Sequence, residues 1–275
     1  MTTELSFFRL SLDGPIAHLA MNRPEKANGM NPAFWEELPR IVRELDSTPA
    51  IRVLVISGEG RHFSGGMDLA AFDDIAAMLK AEPARAAFAL RRLILKLQDS
   101  FTALEAARFP VIAAVHGACL GGAIDMISAC DLRLAAADAA FGIEEIHIGM
   151  AADVGTLQRL PKLIAPGIVK ELAYTGRRFS AEEAKAWGFV NSVHADREAA
   201  IAAAMTLARD IAEKSPIAIA GIKRAVDYVR DHAVSDGLEQ IASWNAGMLR
   251  PVELMTALQA KMARRQAVFA DLLAD

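Results

Sequence analysis

Two runs in this chain, IRVLVIS (51–57) and VIAAV (111–115), are almost wholly apolar and bounded by turn residues, which marks them as buried strands. Helical patterns stand between them. Asn31-Pro32 supplies an N-cap and a first-turn proline, and Phe34, Leu38, Ile41, Val42 and Leu45 follow at helical spacing. A second long helix is expected over about 84–107, with Leu90, Ile94, Leu97, Phe101 and Leu104 on one stripe. Residues 5–12 and 16–21, split by Asp13-Gly14-Pro15, read as a hairpin. Strand, loop and helix alternate to about residue 195, which predicts an α/β fold.

Beyond that point the pattern changes. Helix signals at 197–213, 216–232, 236–247 and 251–273 follow one another without strands, and Pro216 and Pro251 stand near helix starts. The stripe Leu254, Leu258, Met262, with Phe269 further along, needs a covering surface, from this chain or from another copy. Both readings are open. The expected division is an α/β core over 1–196 and a helical C-terminal region over 197–275.

Hydrophobic residues make up 53% of the 275, enough for a sizeable core and a buried subunit interface. The net charge of −4 comes without a basic stripe, which argues against a nucleic-acid partner. Cys119 and Cys130 lie in an apolar run and read as reduced, buried thiols. That run, 112–130, carries Asp125 near its middle and lacks anchoring flanks, so it is not expected to span a membrane. No secretory signal opens the chain, and the ending LLAD is not a peroxisomal address. A soluble, cytoplasmic protein is expected.

Two glycine-rich elements follow strands. In GEGRHFSGGMDL (58–69), Phe63 stands where a dinucleotide fingerprint needs glycine, and Gly66 where a P-loop needs lysine. What remains is either a plain turn or a backbone excursion that turns amide N–H groups toward a ligand. In HGACLGGAIDMISACD (116–131), Gly121 and Gly122 open a helix whose first amides are unpaired, where an oxyanion can sit. Close helix packing explains the same glycines equally well.

Three acids complete the pattern. Asp125 lies one helical turn after Gly122. Glu144 and Glu145 are adjacent, so only one of them is expected to enter a site. Asp153 fits two roles, an acid of the site or the cap of a helix starting near Gly155. Arg159 suits a surface position or an ion pair. The six histidines have no metal-ligand spacing, and no Ser or Cys sits in a nucleophile elbow. Acids that hold and pass protons, beside donors for an oxyanion, suit enolate chemistry.

In order and spacing, MNRPEKANGMN (21–31), GEGRHFSGGMDL, VIAAVHGACLGGAIDMISACDLRLA (111–135) and FGIEEIHIGMAADVGTLQRLP (141–161) resemble the enoyl-CoA hydratase/isomerase (crotonase) superfamily. The resemblance runs from about residue 14 to the C-terminal helices. Asp125, Glu145 and Asp153 together make it most similar to the Δ3,5-Δ2,4-dienoyl-CoA isomerase branch. It implies a spiral of ββα units with an all-helical oligomerisation region. It also implies a trimer or dimer of trimers, an acyl-CoA thioester substrate, and no metal or cofactor beyond the coenzyme A carried by that substrate. Carried over by residue, the N–H groups of Met67 and Gly122 form an oxyanion hole, Glu145 and Asp153 shuttle a proton, and Asp125 supports them. Arg23, Lys26, Ala27, Ser64, Gly65, Asp68, Leu69 and Gly121 are the implied substrate-binding residues. Ordinary hydratases of the superfamily carry Glu at the place of Asp125 and Gly at that of Asp153. A 2-enoyl-CoA hydratase is therefore the alternative reading.

Overall fold

The computed structural model describes residues 5–68 and 70–273. The hairpin is present as β1 (Phe8–Asp13) and β2 (Ile16–Met21), antiparallel, with Gly14 at φ 57° in the turn. Next come α1 (Pro32–Asp46), β3 (Val53–Gly58), α2 (Ala71–Met78), α3 (Pro83–Ala106), β4 (Val111–Val115) and β5 (Ala118–Leu120). Then follow α4 (Gly122–Ser128), β6 (Leu132–Ala136), β7 (Ala140–Gly142), α5 (Thr156–Arg159), α6 (Pro166–Thr175), β8 (Phe179–Ser180), α7 (Ala181–Ala186) and β9 (Ser192–His194). Asn31 caps α1 as its sequence predicts, its side chain accepting from Phe34 N.

Six strands form the main sheet in the order β1-β2-β3-β4-β6-β9, all parallel except the first pair. A three-stranded sheet, β5-β7-β8, stands apart from it. Both faces of the inner strands β2, β3 and β4 are buried. Leu19, Leu54, Ile56, Ala113 and Val115 join the large core with residues of α1, α3 and α4. An aromatic cluster lies within that core. Phe34 sits 5.2 Å from Phe7 and 5.0 Å from Trp35, and Trp35 lies 5.3 Å from Phe101. Ile16, Val53, Val55, Ile112, Ala114 and Leu134 face the other way, onto Ala204, Ala208 and Ala212. The continuous apolar runs of β3 and β4 thus follow from a sheet covered twice.

Strands end at His194, as the sequence reading places them, and α8 (Arg197–Ala212), α9 (Pro216–Asp231), α10 (Val234–Met248) and α11 (Pro251–Met262) complete the chain. Two details differ from expectation. First, α8 is the second cover of the main sheet, its alanines at every fourth position letting the helix lie close, so the change of pattern at 197 is not a change of layer. Second, the last helix ends at Met262 instead of running to 273. Arg264 takes φ 50°, a conformation that cannot continue a helix, and the tail turns back to Arg52. The Arg52 guanidinium donates to Ala212 O (3.1 Å) and Phe269 O (2.7 Å) and pairs with Asp271. Phe269 is therefore not on the α11 stripe.

One buried cation ties the helical region to the core. Lys223 of α9 is 8% exposed, and its Nζ donates to Leu104 O (3.1 Å), Phe109 O (3.1 Å) and Asp131 Oδ2 (2.9 Å). Removing it leaves two carbonyls and a carboxylate without that donor. Lys223→Met is expected to lower unfolding free energy by about 3–5 kcal/mol, read as a shifted urea midpoint with unchanged slope.

Candidate active site

The loop after β3 is held by Asn28, a residue the sequence reading did not single out. Asn28 is fully buried, and its Nδ2 donates to Glu59 O (2.9 Å), His62 O (2.9 Å) and Phe63 O (3.1 Å) while its Oδ1 accepts from Arg23 N (2.9 Å). Ala27 and Asn28 both take left-handed backbone, at φ 48° and 51°. Asparagine tolerates that conformation, and the pair Asn28-Gly29 was the local signal available for such a turn. Ser64 belongs to the same scaffold. It is fully buried, and its Oγ donates to Asn28 O (2.9 Å) and accepts from Gly66 N (3.1 Å), so its hydroxyl holds the loop.

That scaffold aims one backbone amide. Met30 N donates to Gly66 O (2.8 Å) and Asp68 N to Met30 O (3.1 Å), a parallel bridge opposite Met67. In such a bridge the Met67 N–H points away from Met30. A second amide stands beside it. Gly122 is the first residue of α4, and a Cβ built on it would lie 3.8 Å from Met67 N. Gly66 takes φ 88°, and a Cβ there would stand 2.6 Å from Leu120 O, so the two elements touch only because position 66 has no side chain. Among the described residues, neither Met67 N–H nor Gly122 N–H donates to another backbone group.

Asp125 is buried, and Glu145 and Asp153 are partly so. Asp125 is 1% exposed; its Oδ1 accepts from Thr156 N at 2.5 Å and its Oδ2 has no partner among the described residues. Burial pushes its carboxyl up to about 6, against the pull of the Thr156 hydrogen bonding. Glu145 Oε1 comes within 3.4 Å of where a Cβ on Gly121 would stand, and its buried Oε2 has no partner. Burial first, then the charges of Asp125 and Asp153, push Glu145 up to about 7. Asp153 is half-buried, and burial raises it too. Glu144 turns the other way and pairs with Arg178 at 2.9 Å, so one of the two adjacent glutamates enters, as expected.

Asp153 is not a cap. The N-cap of α5 is Gly155, at φ 141° with no side-chain cap bond, and Asp125 reaches across from α4 to hold the Thr156 amide instead. Arg159 resolves as an ion-pair residue, bound to Glu105 at 3.0 Å. Around the mouth, Arg23 pairs with Asp68 and donates to Gly29 O (3.0 Å), and the pairing holds Asp68 below the usual carboxylate range. Ala27 O accepts from Gly65 N (2.8 Å), and Lys26 and Gly65 are exposed. These residues gather beside Met67, with Gly121 next to Glu145. Leu69 lies outside the described residues.

A family profile described as Enoyl-CoA hydratase/isomerase matches residues 12–270. A mouse protein named Delta(3,5)-Delta(2,4)-dienoyl-CoA isomerase, mitochondrial, is 44% identical over 91% of this chain and 77% of its own length. A peroxisomal protein of that name from Arabidopsis thaliana is 39% identical over 98% and 97%. A crystal structure of an enoyl-CoA hydratase from Bacillus anthracis superposes with a TM-score of 0.88 at 29% identity, covering 96% of this chain and 99% of that one.

The raised acids make stability depend on pH. Asp125 titrates near 4 when unfolded but at about 6 in the fold, so the folded state holds its proton more tightly. Stability is full below pH 4 for this group and falls as pH rises through 6, by about 3 kcal/mol. Asp125→Asn keeps an oxygen for Thr156 N and removes the charge. Its urea midpoint is expected to fall less between pH 4 and 8 than that of the unsubstituted protein.

Proposed function

The chain belongs to the enoyl-CoA hydratase/isomerase family, and from that footing we propose that it converts 3,5-dienoyl-CoA to 2,4-dienoyl-CoA. The observation that carries this reading is the pairing of two unengaged amides, Met67 and Gly122, with a half-buried Glu145 whose carboxyl is pushed up to about 7. In the proposed reaction, the thioester oxygen accepts from both amides. Each such donor contributes about 3–4 kcal/mol to a developing oxyanion in a dry site. Glu145, beside Gly121, takes a proton from C2, and the electron pair passes into the dienolate. Asp153 gives its proton to C6, leaving double bonds at C2 and C4. One C–H bond breaks and one forms, so no electron acceptor is consumed. Glu145 ends protonated and Asp153 ionised, and a proton passes back before the next turnover.

An acid near 7 is half ionised at neutral pH, which suits a base that must also release its proton. Asp125 acts through geometry, since its one engaged oxygen holds the Thr156 amide three residues after Asp153. The coenzyme A part of the substrate lies along Arg23, Lys26, Ala27, Gly65 and Asp68 in this reading, with its thioester at Gly121 and Gly122. No described helix is long and apolar enough to cross a membrane. Cys119 and Cys130 are free and buried, which suits a reducing compartment, and on that ground we read the protein as cytoplasmic, while the isomerase relatives carry mitochondrial and peroxisomal names. The single chain leaves Leu238, Val252, Leu254 and Leu258 exposed on α10 and α11, and a trimer or dimer of trimers would cover such surface.

Turnover on 3,5-dienoyl-CoA beside 2-enoyl-CoA tests the reading, and hydration of the second with no conversion of the first would replace it with the hydratase. Glu145→Gln and Asp153→Asn are each expected to lower isomerisation kcat by about 10²–10⁴-fold with KM nearly unchanged. Leu254→Glu with Leu258→Glu is expected to give a smaller species by light scattering.

A further inference from the structure

The segment carrying Asp153 is gripped from outside the site by one face of α3. Gln98, Thr102 and Glu105 stand at i, i+4 and i+7, beside the stripe Leu97, Phe101, Leu104 that anchors the helix in the core. Gln98 Nε2 donates to the carbonyl of Asp153 itself at 2.7 Å. Arg159 Nη2 donates to Thr102 Oγ1 (3.2 Å) and Glu105 Oε2 (3.0 Å), and Arg230 of α9 binds the other oxygen of Glu105. Gly155 lies between the two grips, and a Cβ there would strike the Arg159 guanidinium. Gln98, Glu105, Gly155 and Arg159 line a polar cleft of about 320 Å³ on that side, while Ala152 and Val154, on either side of Asp153 in the chain, pack into the core.

We propose that Gln98, with Glu105 acting through Arg159, is a positioning device that sets where the Asp153 carboxyl stands above the far end of the diene. The inference rests on the isomerase reading and extends it to residues that do not touch substrate. Glu145 is held by other elements, so the two ends of the proton transfer have separate supports. Slackening the clamp displaces the acid at C6 and leaves the base at C2 in place. Removal of the C2 proton survives, and its delivery to C6 does not.

Two readouts separate these steps: exchange of the C2 proton with deuterated solvent, and formation of the 2,4-dienoyl thioester. Gln98→Leu keeps the side-chain volume and removes the donor. It is expected to lower isomerisation kcat about 10–100-fold, with KM, C2 exchange and melting temperature each nearly unchanged. In an Asp153→Asn background the same substitution is expected to cost nothing further, because the group it positions is already silent. Arg159→Lys, which keeps the cation at Glu105, is expected to retain more isomerisation than Arg159→Met. Parallel loss of exchange and isomerisation in Gln98→Leu, or a full cost in the Asp153→Asn background, would overturn the clamp. An unsubstituted enzyme that exchanges C2 yet forms no 2,4-dienoyl product would instead overturn the isomerase reading beneath it.

Discussion

Asp125 accepts the Thr156 amide at 2.5 Å inside a fully buried part of α4, and the geometry of the candidate site depends on that bond. It joins the helix that begins at Gly122 to the short α5 that follows Asp153. The amide end of the site and its distal acid are thereby fixed to one another across 31 residues of sequence. A neutral cap on α5 would have left those two parts independent. A carboxylate in this place is destabilised by desolvation, and the raised titration of Asp125 is the measure of that cost. The core around it is large enough to absorb the cost, with nearly every residue of β3, β4 and α4 buried.

The same logic runs through the amide pair. Unengaged N–H groups and unpartnered carboxylate oxygens are unfavourable in a closed structure. Here they are gathered in one place, where a ligand with an oxygen and an acidic C–H would satisfy several at once. The side chains of Asn28 and Ser64 behind the loop are, by contrast, bonded. Asn28 makes four hydrogen bonds and Ser64 two, so the loop that aims Met67 has little freedom of its own. Satisfied polar groups behind the site hold the unsatisfied ones in front of it.

Much of this was legible in the sequence where the signal is local. Apolar runs gave β3 and β4, Asn31-Pro32 gave the start of α1, and the order of glycines and acids gave the elements that meet at the site. What stayed hidden depends on distant partners. Asn28 bonds to carbonyls 31, 34 and 35 residues away, and no periodicity announces such a role. Asp153 had the composition of a cap, but Asp125 arrives from another helix to take that place. The resemblance puts Ser64 among substrate-binding residues, and no local pattern tells that its hydroxyl turns inward to hold the loop. The end of α11 was misjudged because continuing apolar residues resemble helix, whereas Arg264 and the pull of Arg52 bend the chain back.

That return of the tail has a practical side. Arg52 stands just before β3, at the opposite end of that strand from Gly58 and the loop that aims Met67. Phe269 and Asp271 therefore lie at the foot of the parallel strands, a strand's length from the candidate site. A fluorescent reporter carried on the exposed Ala270 would hang from that end, well away from the loop that aims Met67.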